Sequence, residues 1–484
     1  MLFRGCEPAV AAGVDGRILA VGEAATSLVR DVDVVDLHGR AHPGFADSHV
    51  HLGWTARQRM TLDLTGAVDA ADAVQQVRRH ASSLPPDAWV VGHHLDDSTW
   101  RDDDRLHAAM LDGASGGRPV FIHRRDTHLA WVNTAAFAIA GIDRDTPDPA
   151  GGVIDRDDDG KPSGIVRENA AEVVRVLIPD VSADRLRAAL GDVVRDLVAA
   201  GTTSVHAIES ADDYAILRAM RETGELPLRV SAFLRLASLD DLVSGGVRSG
   251  HGDDVLRIQG VKVFLDGSLG SDTAEMLDGR GVVVVPQGEL TRVIARVAGA
   301  GLNVAVHAIG DAAVRRCLDA FEAQESPGPH WRPRIEHAQC VDPADVPRFV
   351  RSGVIASMQP LHAVSDREIA DRRWRDRCAF AFAWRPLHDT GTRIAFGSDA
   401  PVDDPSPLRG IDAATRWRHR TGWYPELAID ERAAITAYTR DAAYAVGMED
   451  RLGVLAPGAW CDMSVVDTEG VVATIVAGEV VWRR

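Results

Sequence analysis

The chain has 484 residues, 45% apolar and 26% charged, an ordinary composition for a folded protein with room for more than one core. A formal charge of −18 argues against nucleic acid or an anionic membrane as the main partner, because both need a positive surface. Five scattered cysteines, Cys6, Cys317, Cys340, Cys378 and Cys461, form no Cys-x-x-Cys and are odd in number, which argues against a disulfide framework or a zinc finger.

The start, Met-Leu-Phe-Arg-Gly-Cys-Glu-Pro, lacks the long apolar stretch of a secretion signal. No uncharged apolar run reaches the ~18 residues that a membrane span needs. The expected setting is the cytoplasm, and the expected partner a small molecule.

Residues 1–42 read as short strands with turns. Asp15-Gly16 is a hairpin signal, and residues 32–37 alternate well enough for another strand. Residues 463–466, 471–476 and 480–482 have the same texture. One small β domain built from both ends, 1–42 plus 452–484, is therefore expected, around a body spanning 43–451.

The body opens on Pro43-Gly-Phe-Ala-Asp-Ser-His-Val-His51, a short apolar strand ending in two histidines. Side chains alternate along a strand, so His49 and His51 point the same way. Residues 60–175 are too long for one crossover. They carry apolar runs at 89–92 and 119–123 and a Gly/Asp-rich stretch at 149–164, and read as an inserted α/β region with a barrel strand hidden inside it. The charge run 155–159 reads as a solvated turn, since it lacks calcium-loop spacing.

A helix follows over 183–200. Leu186, Leu190, Val193, Val194 and Leu197 share one face, Ser182 can cap its start and Gly201 can end it. Residues 202–207 then form a strand, placed third and carrying His206. Later strand candidates are 258–265, 302–307, 334–337, 354–358 and 393–397. This alternation of strand and helix predicts a parallel sheet or barrel.

In a barrel of parallel strands the C-terminal ends share one face, and that face holds the site. The strand ends here carry His49 and His51, then His307, His337 and Asp399, and the strand at 258–265 carries Lys262 inside it. Any one of these alone has a plain packing or capping role. Together they gather ligand-type residues at one rim and predict a divalent metal site. Imidazole and carboxylate donors favour zinc, with manganese, iron or cobalt as alternatives.

This order, His-x-His, Lys, His, His, Asp, resembles the amidohydrolase superfamily. Further segments are similar to its branch that includes N-substituted formamide deformylase: Asp126-Thr-His-Leu-Ala-Trp-Val-Asn133, Val261-Lys-Val-Phe-Leu-Asp-Gly-Ser268, Val306-His-Ala-Ile-Gly-Asp311, Ile335-Glu-His-Ala-Gln339, Met358-Gln-Pro360 with His362, and Phe396-Gly-Ser-Asp-Ala-Pro-Val402. The resemblance implies a distorted (β/α)8 TIM barrel, a small β-sandwich from both termini and an α/β insertion after the first strand. It implies His49, His51 and Asp399 as ligands of one metal and His307 and His337 as ligands of a second. Lys262 matches the lysine that binuclear members carboxylate into a bridging carbamate. The resemblance also makes a homodimer the expected assembly.

The chain departs from the pattern twice. The loop at 275–287 is short, and His93 and His94 follow Gly92 where relatives carry small or aromatic residues. The expected activity is hydrolysis of a non-peptide amide-type C–N bond by metal-activated water, with Asp399 as the catalytic acid/base. Expected substrate contacts are His128, Trp131, Asn133, Asp266, Gln359 and His362. The same site acting on an ester, carbamate or lactam, or as a decarboxylase or isomerase, is the first alternative. A silent binding scaffold on the same fold is the second.

Overall fold

Eight parallel strands form a nearly closed barrel in this computed structural model. It describes residues 1–27, 32–95, 97, 100, 106–124, 129–149, 151–270, 272–324, 328 and 330–484, with Glu168 by its backbone alone. The strands are β1 (Phe45–Val50), β2 (Thr202–Glu209), β3 (Arg229–Arg235), β4 (Leu256–Phe264), β5 (Asn303–Ala308), β6 (Arg334–His337), β7 (Ile355–Met358) and β8 (Ile394–Phe396). Each pairs in parallel with its neighbour in chain order. The seam between β8 and β1 is closed by a bridge from Val50 to Ala400 and by the Asp399 N–H, which donates to the His49 carbonyl at 2.7 Å.

The barrel bears out the expected fold class and corrects one strand. The missing strand is β3, which lies outside the insertion, so the strand with His206 is second rather than third. Arg229 and Ser231 interrupt what would otherwise be an apolar run. Inside the fold Arg229 is buried, pairs with Asp462 at 2.6 Å and lies 4.5 Å from the Trp460 ring centre. A paired arginine is therefore compatible with a barrel strand.

Amphipathic helices cover the strands. Gln287–Gly299 buries Leu290, Ile294 and Val297, and Asp311–Glu322 buries Val314, Cys317, Leu318 and Phe321, in each case at helical spacing. Both stripes join one core with Val261, Val263, Val304 and Val306 of β4 and β5. All five cysteines are buried and free.

The terminal segments form a seven-stranded sheet in the same compact unit as the barrel. Its longest strand, Val34–Pro43, runs parallel to Leu2–Glu7 and antiparallel to Met463–Asp467. Only Gly44 separates that strand from β1, so the sheet anchors the start of the first histidine strand.

Residues Ala56–Ala189 form a second compact unit. Its six-stranded sheet runs, from one edge, Gly152–Arg156, Pro162–Glu168, Leu129–Val132, Val120–Arg124, Val90–Leu95 and Leu62–Asp63. Val77, Val90, Leu111, Val120 and Trp131 pack in its core. Asp157, Asp158 and Asp159 are exposed, as a solvated turn requires. Among the described residues no helix is long and apolar enough to cross a membrane.

Candidate metal centre

Every residue of β1 is buried, which is what a barrel strand's position dictates, and His49 and His51 emerge at its C-terminal end. Asp47 stitches this end to β8. Its Oδ1 accepts the N–H groups of His49 (3.1 Å) and Ser398 (2.9 Å), and its Oδ2 accepts the Ser398 hydroxyl at 2.5 Å. Burial raises the Asp47 carboxyl to about 6, even against these hydrogen bonds. Gly397 lets the two backbones approach: a Cβ there would lie 2.4 Å from the His49 nitrogen. Asp399 follows at φ +60°, and that turn aims its carboxylate back at β1.

The Asp399 carboxylate is the focus of the cluster. Its Oδ1 lies 3.2 Å from His51 Nε2 and 3.4 Å from His49 Nε2. Its Oδ2 lies 3.7 Å from His362 Nε2 and 3.9 Å from His337 Nδ1. Burial alone would raise this carboxyl, but His49, His51 and His362 outweigh it and hold it well below the usual carboxylate range. His49 donates through Nδ1 to Glu336 Oε2 at 2.5 Å, and His51 through Nδ1 to the Ile208 carbonyl at 3.2 Å. Both rings thereby present an Nε2 lone pair to the same space.

Lys262 enters from β4, fully buried, with Nζ 3.5 Å from His49 Nε2. Burial lowers it to about 8, with Glu336 and Asp399 pulling the other way. His307 and His337 sit edge to face, ring centres 4.5 Å apart, and His337 lies 4.8 Å from His49. Burial, reinforced by Lys262, lowers His307 to about 4. Burial, reinforced by His307 and His49, holds His337 well below its ordinary value. These imidazoles are neutral at physiological pH, the form that binds a metal.

The donor set fits a divalent cation. His49, His51 and Asp399, and likewise His337, His362 and Asp399, place one ligand atom each within 4.8 Å of the others. His362 Nε2 is buried with no hydrogen-bond partner among the described residues, and with Gln339 donating to Nδ1 it carries a proton that the oxygen of a metal-bound water would accept.

A family model described as the amidohydrolase family matches residues 33–482. The chain belongs to the amidohydrolase family. An N-substituted formamide deformylase of Arthrobacter pascens is 28% identical over 94% of this amidohydrolase and 89% of its own length. The protein LONG AFTER FAR-RED 3 of Arabidopsis thaliana is 30% identical over 94% of this chain and 83% of its own. Among solved structures, an uncharacterized metal-dependent hydrolase from Pyrococcus furiosus is 28% identical, with 95% of this chain and 96% of that one covered and a TM-score of 0.78.

The amidohydrolase barrel thus gathers His49, His51, Lys262, His307, His337, Asp399, Gln359 and His362. Gln359 Oε1 accepts from His337 Nδ1 at 2.9 Å and so orients that ring. Asp266 Oδ1 lies 3.4 Å from His307 Nε2; its carboxylate also accepts the backbone N–H groups of Glu275, Ile309 and Gly310, and burial raises it to about 7. It braces the loops after β4 and β5. Trp131 is fully buried in the inserted unit and donates to the His107 carbonyl. Asn133 caps the helix Thr134–Ala140 and bonds the backbone of Val120 and Arg118. His128 lies outside the described residues.

Four residues escaped the sequence reading. Glu336 and Arg334 form a fully buried ion pair behind His49, and Arg334 also donates to His206 Nδ1 at 2.9 Å. Gln339 donates to His362 Nδ1 at 3.0 Å, and Asp403 Oδ2 stands 3.6 Å from His362 Nε2. The motif Arg334-Ile-Glu-His-Ala-Gln339 held three of them, and a charged pair inside a short strand was the available signal.

Proposed function

We propose that this amidohydrolase is a metal-dependent hydrolase that cleaves an amide-type C–N bond in a small non-peptide substrate. The observation that carries the reading is Asp399, ionised, buried, and facing two imidazoles on one carboxylate oxygen and two more on the other. His49, His51 and Asp399 would hold one divalent ion, zinc by donor type, and His307 and His337 would hold a second. Lys262, lowered to about 8 by burial, offers free amine that could add to CO2 with loss of a proton, and the resulting carbamate would supply anionic oxygen donors to the site. The resemblance to N-substituted formamide deformylase supports an amide or formamide as the scissile group.

A divalent ion in this site lowers the pKa of its water toward about 7 and polarises a carbonyl. Asp399 accepts the proton that the water loses as its oxygen attacks the carbonyl carbon. The same carboxyl then returns the proton to the departing nitrogen as the C–N bond breaks, releasing acid and amine. Gln359 keeps the His337 ring fixed throughout, and His362 and Gln339 wall the side where Asp403 stands. The free, buried cysteines fit a reducing cytoplasmic setting.

The test is metal content per chain by elemental mass spectrometry, paired with a panel of N-substituted formamides, amides and matched esters. About two ions per chain, with amide turnover that a chelator abolishes, is the expected result. One ion would return Lys262 to a structural role. Turnover of esters alone would move the bond assignment, and failure to hold any metal after reconstitution with zinc or manganese would overturn the reading.

A further inference from the structure

A second histidine cluster lies within the inserted unit. The two-residue edge strand Leu62–Asp63 pairs in parallel with Val90–Leu95, with Asp63 in register with His93. Successive strand residues normally point to opposite faces. Here the register of Val90–Leu95 against Val120–Arg124 shifts between Gly92 and Leu95, a bulge, and His94 adopts φ +58°. Both rings consequently meet, centres 4.4 Å apart. Asp63 Oδ1 lies 3.2 Å from His94 Nδ1 and 4.0 Å from His93 Nε2.

The surroundings prepare these atoms as ligands. Thr61 donates its hydroxyl to the Gln58 carbonyl and so accepts from His93 Nδ1 at 3.0 Å, which leaves the His93 Nε2 lone pair facing the cluster. Gln58 Nε2 lies 3.2 Å from that nitrogen, while Gln58 Oε1 is buried with no partner among the described residues. Turning the amide over brings a further oxygen donor to the same place. Asp63 is 58% exposed on its side chain, so water completes the shell.

We propose that Asp63, His93 and His94 form a second metal site, separate in residues from the barrel centre, that takes a late first-row divalent cation such as Zn2+, Ni2+ or Cu2+. Two imidazoles and one carboxylate are the donor set these ions select. Binding clamps the bulge to the edge strand, and the His94 proton moves from Nδ1 to Nε2 as Nδ1 turns from Asp63 to the ion.

The test is calorimetric titration of Ni2+ into protein purified with its own metal in place, wild type against His94→Gly and Asp63→Asn. Glycine suits φ +58°, so His94→Gly removes a ligand without straining the bulge. Wild type takes up one equivalent more than either variant, and Ni2+ raises its thermal midpoint but not theirs. Equal stoichiometry and affinity in all three proteins overturns the site. All barrel ligands are intact in each protein, so this outcome says nothing against the hydrolase reading, and an inactive enzyme says nothing against this site.

Discussion

Glu336 accepts a hydrogen bond from His49 Nδ1 at 2.5 Å, and neither side chain reaches solvent. Glu336 is in turn held by Arg334, which also bonds the Ser357 hydroxyl at 2.8 Å. Burial raises Glu336, but Arg334 and Lys262 overcome it and keep it ionised. The orientation of His49 therefore rests on a polar column where a barrel of this kind usually packs apolar layers. Glu336→Gln leaves Arg334 buried without a counter-charge, at a cost of about 3–5 kcal/mol. Urea unfolding should show that loss. Zinc titration should show affinity weakened ~10–100-fold, as for other lost carboxylate partners of metal-binding histidines.

Asp399→Asn preserves size and shape but cannot carry the proton between water and leaving group. We expect kcat to fall at least ~10²-fold, the scale of general acid–base catalysis, with an unchanged far-UV spectrum. A near-wild-type rate on any amide substrate would remove Asp399 from the chemistry.

Stability against pH tests the neutral imidazoles. His307 is lowered to about 4 by burial in the folded state, against an ordinary value of 6.5. Between these values the unfolded chain binds the proton and the folded chain does not. Stability is therefore full above 6.5 and is lost as pH falls toward 4, by about 3 kcal/mol from this one group. Asp47 and Asp266, raised to about 6 and about 7, act in the opposite sense, so the wild-type slope is a balance. Comparing metal-free wild type with His307→Gln by urea unfolding at pH 7 and 4.5 isolates the histidine. The variant should lose less stability on acidification.

Gly397→Ala tests the barrel seam. The added methyl would meet the His49 nitrogen at 2.4 Å and Asp47 Oδ1 at 2.8 Å, both on the opposing strand. Overpacking of this kind costs about 1–3 kcal/mol. Because the same backbone carries Asp399, the thermal midpoint and metal affinity should drop together. A stable variant with weakened metal binding alone would mean that the seam yields locally.

His49, His51, His307, His337 and Asp399 were legible in the sequence because strand periodicity and barrel geometry act on them directly. Glu336 was not. It precedes His337 in β6, so alternation sends the two side chains to different sides, and both serve the site only because His337 turns at φ +72°. Strand β3 was hidden because Arg229 reads as polar until Asp462, 233 residues away, neutralises it. Trp131 and Asn133 matched a pocket by residue type, yet the same types fill cores and cap helices. Only their burial in the inserted unit tells these uses apart.

The sheet that anchors β1 has a consequence for how the molecule is made. Strand Val34–Pro43 finds its second partner in Met463–Asp467, synthesised after all eight barrel strands. On the ribosome, the strand bearing His49 and His51 is born early but secured last. A nascent chain arrested before residue 463 would carry every barrel histidine and Asp399, with Val34–Pro43 paired to Leu2–Glu7 along one edge and unpaired along the other. The sheet that roots the first histidine strand is therefore complete only once the last residues of the chain have left the ribosome.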